Sequence, residues 1–217
     1  MPRGFLLSLV LAAAFAALGA GVYEMRGLWR PAPDNSLRRV TVGSAAFSLR
    51  TSYLRHASRV SERLDELDLA AYFPDFAPAG DESDITKETD LGDRFQRIVF
   101  LTIRPADSSI DPAERTARLY TRFLEPDGWS HPGGLLAHAF QKGSPFENEE
   151  LYFVAPEGRA FAARCQRPDQ TRQTPNTCAY DFRLDNLDVE LRFSAALLSE
   201  WEALSSGARG LVESARQ

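Results

Sequence analysis

An unbroken apolar run at the N-terminus constrains this chain more than any other feature. Residues 4–23 contain no charged side chain. As a helix, twenty residues rise about 30 Å, which matches the hydrocarbon core of a bilayer. Secretory signal peptides have shorter apolar regions of about 7–15 residues, so the length favours an uncleaved anchor. Small residues in its second half offer cleavage sites for the alternative, a cleaved signal. We predict an anchor, or signal, over residues 1–23 that contacts the membrane through residues 4–23.

The arginines around this run give opposing indications of its orientation. One arginine precedes the run and four follow it by residue 39, and the positive-inside rule would keep such a C-terminal side in the cytoplasm. Against this, the N-terminal tail has only three residues, and long domains translocate largely regardless of nearby charge. We therefore predict a single-pass protein whose C-terminal domain is exported.

Small residues also recur at four-residue intervals within the run. Ala13, Ala17 and Gly21 form this stripe. Such a small-xxx-small pattern lets two helices approach closely, although an alanine-rich helix also produces it by chance. It predicts self-association of the anchor.

The composition indicates a globular domain with an acidic surface. The chain has 217 residues, 44% of them hydrophobic, and a formal net charge of −5. This hydrophobic share argues against global disorder, and the negative charge argues against nucleic acid as a partner. Residues 24–63 hold eight arginines against three acids, and residues 64–93 hold ten acids against one lysine. This pattern predicts a basic stretch beside the membrane followed by a solvated acidic loop.

The rest of the chain predicts a linker and one domain. Residues 24–36 contain two prolines and little periodicity, as linkers do. From there, residues 37–217 alternate strand signals with a few helical segments. A nearly continuous apolar run at residues 94–104 predicts a central strand covered on both faces. Strict alternation at residues 187–194 predicts a strand with one buried and one polar face.

Helix signals occur near the middle and at the end of the domain. Asp111 as N-cap, Pro112 and Glu114 form a capping-box pattern, and residues 126–128 predict the stop of that helix. An apolar stripe predicts a final helix at residues 195–215.

Two further segments have weaker signals. A short helix is predicted around residues 55–64, and an acidic loop at residues 74–93. Together the elements predict an α+β fold, with helices packed on one face of a mostly antiparallel sheet, preceded by one N-terminal transmembrane helix.

The domain contains, in order, the short runs TSYLR (51–55), YFPDF (72–76), IVFLTI (98–103), RLYTRFL (118–124), GGL (133–135), FAARC (161–165), VELRF (189–193) and LLSEW (197–201), together with Cys178. Through these runs the sequence resembles a group of single-pass, membrane-anchored bacterial proteins with a small exported α+β domain. The resemblance implies layout and location, namely a single-pass protein of the bacterial inner membrane with its C-terminal domain in the periplasm, and it carries no activity with it.

The two cysteines, Cys165 and Cys178, enclose twelve polar or turn-forming residues. A zinc site would need four ligands, and thioredoxin-type chemistry would need a CxxC motif. The sequence has no CxxC pair and no histidine close to the cysteines. A structural disulfide across two flanking strands fits an exported domain, and closing a loop of about 14 residues would stabilise the fold by roughly 3 kcal/mol. Free thiols in a cytoplasmic domain and a redox function are the alternatives.

The search for catalytic motifs gives little. Residues 128–132 resemble a G-x-S-x-G nucleophile elbow but end in proline. They also follow a predicted helix, whereas such an elbow follows a strand. His56 is predicted on the surface, His131 at the rim of a binding cleft, and His138 half-buried on a strand. No pair of histidines has metal-ligand spacing with a nearby acid or cysteine. We predict no catalytic, metal or cofactor site.

These observations favour a non-catalytic, membrane-anchored periplasmic accessory or binding module. Its partner would be an envelope protein or a small ligand. The predicted interaction surface combines the Trp129–Gly134 turn with the acidic loop, through Trp129, His131, Asp81, Glu82 and Asp84. An immunity protein that neutralises a periplasm-acting toxin is the alternative, and an envelope hydrolase is the second alternative.

Overall fold

The computed structural model describes residues 35–56, 62–80, 91–107, 109–167 and 176–217. Residues 35–217 form one compact unit. The predicted anchor, its small-residue stripe and most of the predicted linker lie outside the described residues. Within the described ranges, no helix is both long and apolar enough to cross a membrane.

A small sheet opens the domain. Strands β1 (Leu37–Val42) and β2 (Ala45–Arg50) form an antiparallel hairpin, and β3 (Arg63–Leu64) joins β1 in parallel. Gly43 turns the hairpin with a φ of 59°, a conformation that glycine adopts without strain. The prediction of a helix around residues 55–64 was wrong at both ends that the structure describes, because a turn follows Leu54 and a strand occupies Arg63–Leu64.

The large sheet dominates the described part of the chain. Its nine strands have the order β5-β4-β6-β12-β11-β10-β9-β8-β7, and the neighbouring strands pair antiparallel. The strands are β4 (Leu67–Tyr72), β5 (Ala77–Pro78), β6 (Ile98–Pro105), β7 (Leu124–His131), β8 (Leu135–Phe140), β9 (Glu149–Val154), β10 (Ala162–Gln166), β11 (Thr177–Leu184) and β12 (Leu187–Ser194). The predicted α+β fold with a mostly antiparallel sheet is confirmed.

One face of the large sheet, here called the inner face, forms the main core. Helix α3 (Trp201–Ala215) covers this face with Leu204, Ala208 and Val212, which are fully buried. A 3-10 turn at Ala195–Glu200 precedes it, so the predicted final helix is confirmed with a tighter start. The alternation in β12 is also confirmed, because Leu187, Val189, Leu191 and Phe193 all point into this core.

The opposite, outer face carries a second and smaller core at one end. Helix α2 (Pro112–Arg118) and a 3-10 turn at Tyr120–Phe123 lie over this face. Tyr120, Phe140, Leu151 and Phe153 are buried there. Helices therefore flank both faces, whereas the sequence predicted them on one face.

The start of α2 follows the predicted capping chemistry in part. The Asp111 carboxylate accepts a hydrogen bond of 2.9 Å from the backbone N–H of Ala113, and Pro112 occupies the first turn. The Glu114 carboxylate accepts from Arg118 at 2.8 Å, so it serves an ion pair along the helix. The N-cap is confirmed, and the end of the helix differs from the prediction.

Two predicted boundaries differ from the structure. Residues 126–128 were predicted to stop a helix, but strand pairing places them inside β7, which pairs with β8 through a bulge between Leu124 and Gly128. Helix α1 (Leu91–Arg97) occupies the end of the predicted acidic loop and the first part of the predicted strand at residues 94–104. The strand itself is internal in the sheet. Its inner face is buried, whereas its outer face is half-buried and ends at the exposed Arg104, so the prediction of cover on both faces holds only in part.

A disulfide joins Cys165 of β10 to Cys178 of β11. The two residues face each other directly across the strand pair, with Cα atoms 3.9 Å apart, and both are buried. The predicted disulfide is confirmed in the structure. It lies at the end of β10 and the start of β11, next to the polar loop that connects them, whose residues 168–175 are outside the described ranges.

Candidate functional site

The first candidate surface lies on the inner face at the edge of the large sheet, and we call it the aromatic edge: Trp129, His131, Glu150 and Tyr152. Strand β7 is the edge strand, and cross-strand register aligns Trp129 with Ala137 and then with Tyr152. Because alanine is small, the rings on either side of it reach each other, edge to face, with centroids 6.3 Å apart. This contact holds the Trp129 ring in place, while 39% of the residue remains exposed to solvent.

Tyr152 anchors this surface from beneath. Its side chain is 9% exposed, and its hydroxyl donates a hydrogen bond of 2.7 Å to the Glu150 carboxylate. Burial raises the pKa of Tyr152, and the bond to Glu150 raises it further. The phenol therefore keeps its proton and its fixed orientation at neutral pH. The His131 ring packs edge-on against the same tyrosine at 5.1 Å.

A glycine turn fixes the end of β7 against α3. The indole N–H of Trp201 donates to the carbonyl of Gly133 at 2.9 Å. Gly133 has a φ of 86°, and a Cβ there would come within 2.8 Å of the Ser199 carbonyl oxygen, so only glycine fits. Trp129 and His131 were predicted in a turn, but both lie on β7 ahead of this turn.

The structure brings two of the predicted surface residues together, Trp129 and His131. Asp81, Glu82 and Asp84 lie outside the described residues. Glu150 and Tyr152 were missed, because alternation within β9 gives no indication of which residues stand beside Trp129. The register of β7 with β8, and of β8 with β9, would have identified both.

The three histidines are dispersed. His131 is on the inner face, where its Nδ1 donates to the Pro132 carbonyl at 2.9 Å. His138 is on the outer face, where its Nδ1 donates to the Glu125 carbonyl at 2.9 Å and its ring stacks on Phe153. The His138 ring also occupies the space that a Cβ at Gly128 would need. His56 is exposed. His138 therefore has a packing role within the β7 bulge.

The second candidate surface is on the outer face, across the strands β4, β6, β12 and β11. Cross-strand register places Asp68, Thr102, Glu190 and Asp181 in one row. A row with Arg104, Asp188 and Arg183 lies on one side of it, and a row with Arg192 and Arg164 lies on the other. Like charges directly opposite each other on neighbouring strands repel, so Glu190 and Asp181 need compensation.

Arginines provide that compensation. Arg115 of α2 reaches down to Asp181 at 2.6 Å, Arg192 pairs with Glu190, and Arg183 forks onto Asp188 at 2.7 and 2.8 Å. Burial nevertheless raises the pKa of Asp181; Arg115 acts against this shift and the Glu190 carboxylate adds to it.

A cavity of about 300 Å³ opens between this row and α2, and we call it the charged cavity. Its polar lining is Thr102, Arg104, Asp107, Ser109, Arg115, Arg164, Asp181, Asp188 and Glu190. Among the described residues, no group of three His, Cys, Asp or Glu side chains is arranged to hold a metal ion. Sequence reasoning missed this cavity. It placed Asp188 and Glu190 outward on β12 but had no register to join them to Asp181 and Thr102.

Comparison with known proteins identifies the fold. No family model matches the sequence, and no curated protein matches it significantly. The structure is similar to that of an immunity protein of the Stenotrophomonas maltophilia type IV secretion system, with a TM-score of 0.59 and 16% identity, covering 84% of this chain and 94% of that one.

A second solved structure, the iron-regulated outer membrane lipoprotein FrpD of Neisseria meningitidis, aligns with a TM-score of 0.42 and 13% identity over 75% of this chain and 82% of that one. The first similarity shows that the two chains share a fold over most of their length.

Proposed function

We propose that this chain is a non-catalytic binding protein of the bacterial envelope, and that it neutralises a toxin by binding to it in the periplasm. The observation that carries the proposal is the fold shared with an immunity protein over 84% of this chain. Fold similarity alone does not transfer a function, so the proposal also draws on the disulfide and on the surfaces described above.

The disulfide supports the periplasmic part of the proposal. Disulfides persist in oxidising compartments such as the periplasm and are rare in the cytosol. Cys165 and Cys178 are both buried and directly paired across two strands, a placement that suits a permanent crosslink. The apolar run at residues 4–23 supplies the export signal or anchor that this location requires.

The aromatic edge supports the binding part of the proposal. Trp and Tyr are the residue types that most often dominate binding energy at protein interfaces. Trp129 is exposed, yet its ring packs edge to face against the largely buried Tyr152. A ring that is already ordered loses little conformational freedom on binding. The aromatic edge is therefore the surface on which we expect the toxin to bind.

Co-expression tests the proposal. Exported products of genes next to the one that encodes this chain are produced in the periplasm of a sensitive host, with and without the full chain. We expect one of them to be toxic and the full chain to restore growth. A version of the chain confined to the cytoplasm should not protect. If no neighbouring product is toxic, or if the full chain gives no protection, the proposal is wrong.

A pair of aromatic substitutions locates the surface. Trp129→Ala is expected to weaken the complex by about 2 kcal/mol, roughly 30-fold, as removal of a central aromatic anchor does. Phe95→Ala is the matched control, because Phe95 is 62% exposed on α1 and is not part of the aromatic edge. It should change the affinity less than about twofold. Titration calorimetry with the purified toxin measures both. Equal effects of the two substitutions would remove the aromatic edge from the interface.

A further inference from the structure

We propose that the charged cavity is a second recognition site, which accepts one basic side chain, arginine or lysine, of the protein that this chain binds. The proposal rests on the proposed function only in taking the partner to be a protein. The site itself follows from the register of four strands, the charge of the lining and the shape of the cavity.

The arginines around the cavity are already committed to carboxylates of this chain. Arg104 donates to Glu66 at 2.9 Å. Arg164 donates to Glu149 at 2.6 Å, and its guanidinium lies over the Phe146 ring at 5.3 Å. Arg115 donates to Asp181 at 2.6 Å. An incoming anion would have to break these pairs and would also face the carboxylates of the lining.

The carboxylates exceed the guanidiniums. Counted over the described residues, the lining and its direct partners comprise seven carboxylates and five guanidiniums, a formal charge of −2. The carboxylates are Glu66, Asp68, Asp107, Glu149, Asp181, Asp188 and Glu190, and the guanidiniums are Arg104, Arg115, Arg164, Arg183 and Arg192. A cation entering the cavity would therefore relieve repulsion that the arginines of the chain leave uncompensated.

The acids that a cation would meet come from both sides of the cavity. Glu190 lies on the sheet floor, where its side chain is 21% exposed. Asp107 lies in the segment that leads from β6 to α2, and hydrogen bonds from Ser109 lower its pKa, so it is ionised at neutral pH. A guanidinium or ammonium group between floor and rim could donate to both carboxylates, and such charge-assisted hydrogen bonds are stronger than neutral ones.

The volume of the cavity also suits one side chain. About 300 Å³ is at the lower end of the range for small-molecule sites. It gives room for a single long side chain with its terminal group desolvated on the sheet. Basic side chains that enter such sites contribute more to partner choice and association rate than to raw affinity.

A titration that needs no toxin tests the site. The ¹⁵N-labelled domain is titrated with acetyl-arginine amide and, as a matched control, with acetyl-citrulline amide, which has the same shape without the charge. We expect saturable shifts of the backbone amides of Thr102, Asp181 and Glu190 with the arginine probe only. Equal responses to both probes, or none, would overturn the proposal. Inorganic phosphate is a third arm, and saturable binding of phosphate at these amides would assign the cavity to an anion and overturn it as well.

Two variants connect the residues to the binding. Glu190→Gln is expected to weaken binding of the arginine probe about tenfold, since it weakens a hydrogen bond between charged groups. Asp107→Asn at the rim should weaken binding of the probe about threefold. Because Asp107 is exposed, this second variant keeps the test valid if Glu190→Gln fails to fold. Glu213→Gln, on the exposed side of α3, is the control and should leave binding unchanged. If all three variants bind the probe as the wild type does, the site is wrongly placed.

The outcome for the cavity is separable from that for the proposed function. If the full chain protects cells but the arginine probe does not bind, the binding function stands and the cavity is rejected. If the probe binds but Glu190→Gln neutralises the toxin as well as the wild type, the cavity takes no part in recognising the partner. If the probe binds and no toxin is neutralised, the proposed function is rejected and the cation site stands.

Discussion

The aromatic edge and the charged cavity occupy opposite faces of the same sheet, and they are built in different ways. The aromatic edge has apolar rings that rest on the main core, with Trp129 and His131 contributed by one strand. The charged cavity collects single side chains from several strands and from α2, and ion pairs hold them. We therefore expect the first surface to respond to truncation of side chains, and the second to respond to charge, salt and pH.

The disulfide occupies the junction between the two regions. Strands β10 and β11, which it joins, connect the β7–β9 end of the sheet to the β12–β6–β4 end. Within β10, Cys165 stands opposite Glu150 of the aromatic edge, and Arg164 lines the charged cavity. A change at this strand pair should therefore reach both regions, whereas changes inside either region should stay local.

The largest effect is expected from replacing Cys165 and Cys178 together by alanine. Opening a loop of this length costs about 3 kcal/mol of unfolding free energy in the chain-entropy model. Urea denaturation of the oxidised domain measures the difference. The reduced wild type serves as control and should unfold near the same urea concentration as the double variant. Unchanged stability of the double variant would show that strand pairing alone holds this junction.

The next effect isolates the charged cavity. Arg115→Ala is expected to lower the unfolding free energy by about 2 kcal/mol, because it leaves the Asp181 carboxylate mostly buried without its closest cation. Arg118→Ala on the same helix is the matched control. Its pair with Glu114 is exposed, so its loss should cost at most about 0.5 kcal/mol. Equal losses for the two variants would mean that α2 is held by packing, and that the Asp181 pair adds nothing.

The difference between the two regions also explains which parts of the molecule the sequence predicts. The cap at Asp111, the alternation in β12 and the final helix are local patterns within one element, and the structure has all three. The disulfide is predictable because only two cysteines exist and their loop is short. Each of these features depends on neighbours close in sequence.

The features that the sequence did not predict depend on distant neighbours. Residues 126–128 have the composition of a turn, yet pairing with β8 draws them into β7 through a bulge. The carboxylate row joins Asp68 to Glu190 and Asp181, which are more than a hundred residues away in the chain. No periodicity within one strand specifies the register between two strands, so the charged cavity becomes visible only in the folded chain.

A smaller effect separates the two surfaces by ionic strength. Raising the salt concentration from about 0.05 M to 0.5 M shortens the screening length severalfold, so the wild-type affinity for the toxin should fall a few-fold. Glu190→Gln should flatten this dependence, because it removes one of the charges that the salt screens. Trp129→Ala should lower the affinity at every salt concentration and keep the slope. Calorimetry across the salt series measures the slopes, and a flattened slope for Trp129→Ala alone would reverse the assignment of the two surfaces.

The smallest effect is the pH dependence that Asp181 contributes to stability. Burial raises the pKa of Asp181 in the folded chain, above its value of about 3.9 in an unfolded chain. Between these two values the folded state holds the extra proton, so this contribution to the unfolding free energy is fully present below about pH 4 and is lost as the pH rises through the folded value. Arg115, Arg164, Glu190 and Asp188 all act on this carboxyl and set the size of the effect.

Asp181→Asn removes this titration. The unfolding free energy of the wild type minus that of the variant should therefore decrease as the pH rises from 4 to 7, and urea denaturation at steps of pH measures it. Ser214→Ala, at an exposed position of α3 without a titrating group, is the control, and its difference from the wild type should not follow this trend. A difference for Asp181→Asn that increases with pH would mean that Arg115 outweighs burial, and that the carboxylate row is already neutralised without a cation from a partner.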